Sequence, residues 1–149
     1  QGLRQLWRTD GTSAGTQLVV DRQDSGAHYL AVGKLLYFTA YNRPGGIALY
    51  RTDGTARGTF ALTGDFPLSS YQIVRYGDRV LFIHRENSRQ PWSWWVSDGT
   101  RDGTSALPHM SVPRTNGRPF EIRVLRGRIH LLVEGENSLH SLWRIYPDQ

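Results

Sequence analysis

The chain has no cysteine, a single methionine and a single lysine, Lys34. Without thiols it has neither a disulfide framework nor thiolate chemistry. No apolar run approaches the ~20 residues of a membrane-spanning helix, and no stretch sustains a helical period over the ~11 residues that identify one. Sequence signatures of catalysis are equally sparse. There is no glycine-rich phosphate loop, no Gly-x-Ser-x-Gly elbow and no paired-carboxylate motif. The five histidines, His28, His84, His109, His130 and His140, lack the spacing of a metal site. These absences exclude the common enzyme classes, and we expect a non-catalytic protein with no cofactor and no metal. The chain begins at Gln1 rather than Met, which reads as loss of a signal peptide or longer precursor, or as one part of something larger.

What is present is a phrase used three times. Leu6-Trp7-Arg8-Thr9-Asp10-Gly11-Thr12 returns as Leu49-Tyr50-Arg51-Thr52-Asp53-Gly54-Thr55 and as Trp94-Trp95-Val96-Ser97-Asp98-Gly99-Thr100. Each copy is followed, two residues later, by a second Gly-Thr, at Gly15-Thr16, Gly58-Thr59 and Gly103-Thr104. A degenerate fourth copy, Leu142-Trp143-Arg144, lacks the Asp-Gly-Thr. Spacings of about 40 to 50 residues belong to propeller blades or helical arrays. The segments between the phrases decide for strands, because they alternate β-branched and aromatic residues in short runs: Tyr29–Val32, Leu35–Ala40, Ile73–Tyr76, Val80–His84, Ile122–Leu125 and Ile129–Val133. Gly33, Gly77 and Gly127 separate successive runs as hairpin turns. Within the phrase, Gly11, Gly54 and Gly99 supply the positive φ of a turn, Asp10, Asp53 and Asp98 bond nearby amides, and Thr12, Thr55 and Thr100 complete it.

Each repeat therefore reads as four antiparallel strands, which is the blade of a β-propeller. The predicted fold is all-β, a propeller-like array of about three repeats. The phrase also resembles the bacterial repeat written E-L-W-x-x-D-G-T-x-x-G-T, found in tandem in large secreted or surface proteins. That resemblance covers essentially the whole chain and implies a propeller-type fold outside the cytoplasm, whether secreted, on the cell surface or periplasmic. Gln5, Ala48 and Ser93 stand where the family has its leading Glu.

By length the chain reads as one domain, with a half blade over 1–21, blades over 28–63 and 71–107, and a three-stranded terminal repeat over 119–146. That is thirteen strands, too few for the usual ring of four to eight blades. Open blade edges and faces favour pairing with another chain. Further repeats, a host protein or a head-to-tail second copy would each close the ring.

The net charge of +5 rests on seventeen arginines and the one lysine, scattered from Arg4 to Arg144. Scatter of this kind reads as a solvated surface rather than a nucleic-acid patch, with an anionic partner as the alternative. The Asp-Gly-Thr loops carry too few carboxylates for an ordinary calcium site. The aligned sets Trp7, Tyr50, Trp95, Trp143 and Leu6, Leu49, Trp94, Leu142 read as the two core faces of the blade. The stretch from Pro91 to Trp95 exceeds what the repeat needs, and Arg89, Trp92 and Trp94 are the candidate binding residues, with an indole to stack on a sugar or fill a partner's pocket. The leading expectation is a scaffold or protein-binding module, self-associating or held in a larger assembly. The alternative is a glycan-binding propeller.

Overall fold

The computed structural model describes residues 3–42, 46–64, 72–84, 90–112, 118–134 and 140–145. Within them the chain is all-β, built from antiparallel strands. It divides into two compact units, Gln1–Asp65 and Phe66–Gln149, where length alone reads as one domain.

The first unit is a five-stranded sheet in sequence order: β1 (Leu3–Arg8), β2 (Gln17–Val32), β3 (Leu35–Asn42), β4 (Gly46–Thr52) and the two-residue β5 (Phe60–Ala61). β2 corrects the expected strand count. The half blade's last strand and the next blade's first are one continuous strand of 16 residues, so twelve strands are described rather than thirteen. β1 pairs with its first half and β3 with its second, and Asp24 is in register with both Leu3 and Tyr41. The polar stretch after Asp21 lies between the expected half blade over 1–21 and the expected blade over 28–63. It holds no proline, and the strand continues through it with register shifts between Asp24 and Leu30 and with His28 at φ 59°. β3 and β4 fill the core from both faces, with Tyr37, Phe38, Ala40, Ile47, Ala48 and Leu49 buried. Tyr29, Phe38 and Tyr50 stack across three strands at centroid separations of 5.9 and 5.5 Å.

The second unit holds two sheets. Four strands, β6 (Ile73–Tyr76), β7 (Arg79–His84), β8 (Ser93–Ser97) and β9 (Thr104–Ser111), form one; β10 (Arg118–Leu125), β11 (Arg128–Glu134) and β12 (His140–Ile145) form the other. Pro108 and Pro119 both lie in edge strands, where a missing N–H breaks no ladder. Strand alternation sends Leu81, Ile83, Trp94 and Met110 from the first sheet, and Ile122, Ile129, Leu131 and Val133 from the second, into one buried cluster. The Ile122 N–H, donating to the Gln72 side-chain oxygen, ties the second sheet to the lead-in of the first.

Three two-residue hairpin turns begin these repeats, and they are not identical. Gly33 and Gly77 occupy the first central position with positive φ. In the third, between paired Leu125 and Arg128, both Arg126 (φ 51°) and Gly127 (φ 73°) are positive, the geometry of a type I′ turn.

Candidate functional site

The Asp-Gly-Thr letters of the repeated phrase, the hydroxyl residue before them and the Gly-Thr after them each have a physical task that all three copies perform in the same way. The Oδ1 of Asp10 accepts from the Thr12 N–H at 2.9 Å and the Thr12 hydroxyl at 2.7 Å. The same pair of bonds joins Asp53 to Thr55 and Asp98 to Thr100. Having donated its proton to the carboxylate, the Thr12 hydroxyl accepts from the Gly15 N–H at 2.9 Å. Thr16 then donates to the Thr12 carbonyl at 2.7 Å. Its single proton is thereby spent, so in the 2.8 Å contact between Thr9 and Thr16 it is Thr9 that donates. The Thr9 oxygen in turn accepts from the Gly11 N–H at 3.0 Å. Thr52 and Ser97 repeat the arrangement in the second and third copies.

The two glycines of each phrase are required for different reasons. Gly11, Gly54 and Gly99 take φ of 92°, 88° and 93°, which side-chain-bearing residues avoid. Gly15, Gly58 and Gly103 have ordinary φ, but a Cβ at Gly58 would lie 2.1 Å from the Asp53 carboxylate oxygens, and the other two copies are equally tight. The carboxylate therefore rests on the place where a side chain would be. Hydrogen bonds from the Thr hydroxyl and then the Thr N–H hold the carboxyls of Asp10, Asp53 and Asp98 below the usual aspartate range.

The first letter of the phrase also has a partner. Trp7 donates its indole N–H to the Gln5 side-chain oxygen at 3.1 Å, Trp95 to Ser93 Oγ at 3.0 Å, and Trp143 to Ser141 Oγ at 2.9 Å. The copy with Ala48 at that position has no acceptor to offer, and there the aromatic is Tyr50, which has no indole N–H. The leading residue and the aromatic change together within a single chain.

The candidate binding residues are placed as follows. Trp94 is wholly enclosed, 0% exposed, in the core of the second unit, so its indole forms core rather than surface. Trp92 is half-buried and packs against that same cluster. Arg89 lies outside the described residues. The expectation that both aligned sets are core meets a correction at the outer copies. Leu49 and Trp94 are buried, whereas Trp7 is 53% exposed and Leu142 is 70% exposed.

Sequence reading passed over one cluster. Arg123, His130 and Arg144 are cross-strand partners in register on β10, β11 and β12, and Leu125 pairs with Arg128 beside them. Leu125, Arg126, Arg128, His130 and Arg144 line a recess of about 420 Å³. The signal was available in the turn: centring the hairpin on Arg126-Gly127 pairs Arg123 with His130 by counting. Among the described residues, no group of three or more His, Cys, Asp or Glu could hold a metal ion, and no helix is long and apolar enough to cross a membrane.

Comparison with family models, with curated proteins and with solved structures returns no match.

Proposed function

We propose that this chain is a non-catalytic, extracytoplasmic β-propeller-type module that scaffolds or binds another protein, a second copy first of all. One observation carries the reading: a sheet face that is covered in the inner repeat is bare in the last. In the second unit the face of β6–β9 bearing Ile83 and Trp94 packs against the face of β10–β12 bearing Ile129 and Leu131. Leu142 aligns with Trp94 in the repeat and pairs with Leu132, so it marks the corresponding face of the last sheet. That face stands open, with Leu142 itself 70% exposed. At the other end, Trp7 and its cross-strand partner Leu18 are exposed together. Large apolar side chains gathered on one exposed face mark interaction surfaces.

The propeller assignment and the bacterial, secreted, surface or periplasmic setting rest on the resemblance to the E-L-W-x-x-D-G-T-x-x-G-T repeat. The glycan-binding reading has less support, since Trp94 is enclosed and Trp92 is packed on the core. Sedimentation velocity over a rising concentration series tests the proposal. A species heavier than the 16.9 kDa chain is expected, and it should weaken in Leu142→Asp. A strictly monomeric chain that captures no protein partner, or whose tryptophan fluorescence is quenched saturably by glycans, counts against it.

A further inference from the structure

Asp-Gly is the dipeptide in which a side-chain carboxyl most readily closes on the next main-chain nitrogen, since glycine has no side chain to shield it. It occurs four times, at Asp10, Asp53, Asp98 and Asp102. The first three belong to the repeated phrase. The fourth is peculiar to the third copy, where Asp102 precedes the second glycine; the other copies have Ala14 and Arg57 there. In all four, the glycine N–H donates to a hydroxyl: Gly11 to Thr9 at 3.0 Å, Gly54 to Thr52 at 2.9 Å, Gly99 to Ser97 at 3.1 Å and Gly103 to Thr100 at 2.9 Å. The nitrogens are thus alike, and the carboxyls are not.

Asp10, Asp53 and Asp98 each accept two hydrogen bonds through Oδ1, which turn the carboxyl toward the following threonine. Those bonds favour the charged form, whereas ring closure needs the neutral acid, whose hydroxyl leaves as water. Asp102 is exposed, and its carboxyl makes no hydrogen bond or ion pair among the described residues.

We propose that Asp102 is a modification site, at which the folded chain isomerises to isoaspartate in preference to its other three Asp-Gly bonds. The Gly103 nitrogen attacks Asp102 Cγ and forms a C–N bond, while the Cγ–OH bond breaks and the hydroxyl departs with the nitrogen's proton as water. Water then adds to the main-chain carbonyl of the resulting succinimide and opens its bond to the Gly103 nitrogen. The chain now runs through the former side chain; nothing is oxidised or reduced, and the mass is unchanged. The extra main-chain atom falls inside the third loop. It displaces the Gly103 N–H from Thr100 and parts Thr104, the first residue of β9, from the Arg101 and Thr100 carbonyls it now bonds at 3.1 and 2.6 Å. Isomerisation is therefore expected to loosen the β8–β9 hairpin. The site lies in one loop and needs no second chain, so it stands or falls separately from the assembly reading.

The test is to age the whole chain for weeks at body temperature in mildly acidic buffer, with a parallel sample in urea, and to locate isoaspartate by peptide mapping with fragmentation in the mass spectrometer. In the folded chain it should accumulate at Asp102 about tenfold or more faster than at the other three, where a hydrogen bond to a charged group must first be broken. In urea the four rates should converge, because the local chemistry is the same. Thr12→Ala removes the hydroxyl that donates to Asp10; it should raise isoaspartate at Asp10 severalfold and leave Asp102 unchanged. Equal accumulation at the four sites in the folded chain, the same ranking in urea, or no rise at Asp10 in Thr12→Ala overturns the proposal.

Discussion

Gly58 shows how much of the repeated phrase is decided by one carboxylate. A methyl group there would meet the Asp53 oxygens at 2.1 Å, and Gly58 is buried, so the phrase cannot relax outward. Gly58→Ala is expected to cost about 1–3 kcal/mol, the range for overpacking a filled site. If the carboxylate is the cause, Asp53→Ala in the same chain should recover part of that loss. Urea melts of the two single variants and the double variant measure the coupling, and strict additivity would show that the clash lies elsewhere. Asp-Gly is legible as a turn from sequence because its chemistry is local. The reason for the second glycine is not, since it depends on a carboxylate five residues away folding back across the loop. The role of the leading residue was hidden for a similar reason: Gln, Ala and Ser stand there in the three copies, and only the indole N–H pointing back two residues gives Gln5, Ser93 and Ser141 a common task.

At the scale of strands, alternation identified β3, β6, β7 and β11 to within two residues at either end, but only the second half of β10, Ile122–Leu125 of Arg118–Leu125. It did not identify β2 as one element, since the polar residues after Asp21 have no periodicity to betray a strand that continues through bulges. Strand β7 is buried on both faces from Val80 to His84, which places an ionisable ring where the first unit has Ala40. His84 lies edge-on to Trp95 at 5.2 Å, and burial pushes its pKa down from 6.5 to about 4. The unfolded chain therefore takes up a proton first as the pH falls. Stability is full above about pH 6.5, declines between 6.5 and 4 as the unfolded state protonates, and loses nothing further from this residue below 4. The decline amounts to up to about 3 kcal/mol. The aspartates of the turns act in a separate window, below their ordinary value of 3.8, where protonation removes the carboxylate form favoured by threonine. Thermal melts at the two ends of the histidine interval should differ in the parent chain. In His84→Ala, which installs the residue of the first unit, that difference should shrink; if it persists, another group is responsible.

For the molecule as a whole, the repeat period was legible in the sequence, whereas the strand count was one too high because β2 merges two expected strands; which side chains stand exposed on the outer copies was not legible, because exposure depends on what packs beyond each sheet. The repeat itself states the direction of the missing contact. The Trp94 face of one sheet packs on the Leu131 face of the next, and Trp143 is the cross-strand partner of Leu131. By the same alignment, the open Leu142 face calls for a face like that of Trp7, which makes the proposed contact head-to-tail rather than self-complementary. Head-to-tail contacts can be broken from either side and restored by mixing. Leu142→Asp should disable one end and leave the other intact, while Trp7→Asp should do the reverse. Each substitution replaces an apolar side chain worth roughly 1.5–3 kcal/mol when buried with a charge that resists burial, so assembly should weaken by at least about tenfold. Each variant alone retains no matched pair of ends and should sediment as a monomer. Mixed, the intact Trp7 end of the first variant meets the intact Leu142 end of the second, and a heterodimer with a single contact should appear, weaker than a parental assembly closed by two. A self-complementary interface predicts otherwise: mixing would restore nothing, and one of the two substitutions would leave assembly untouched.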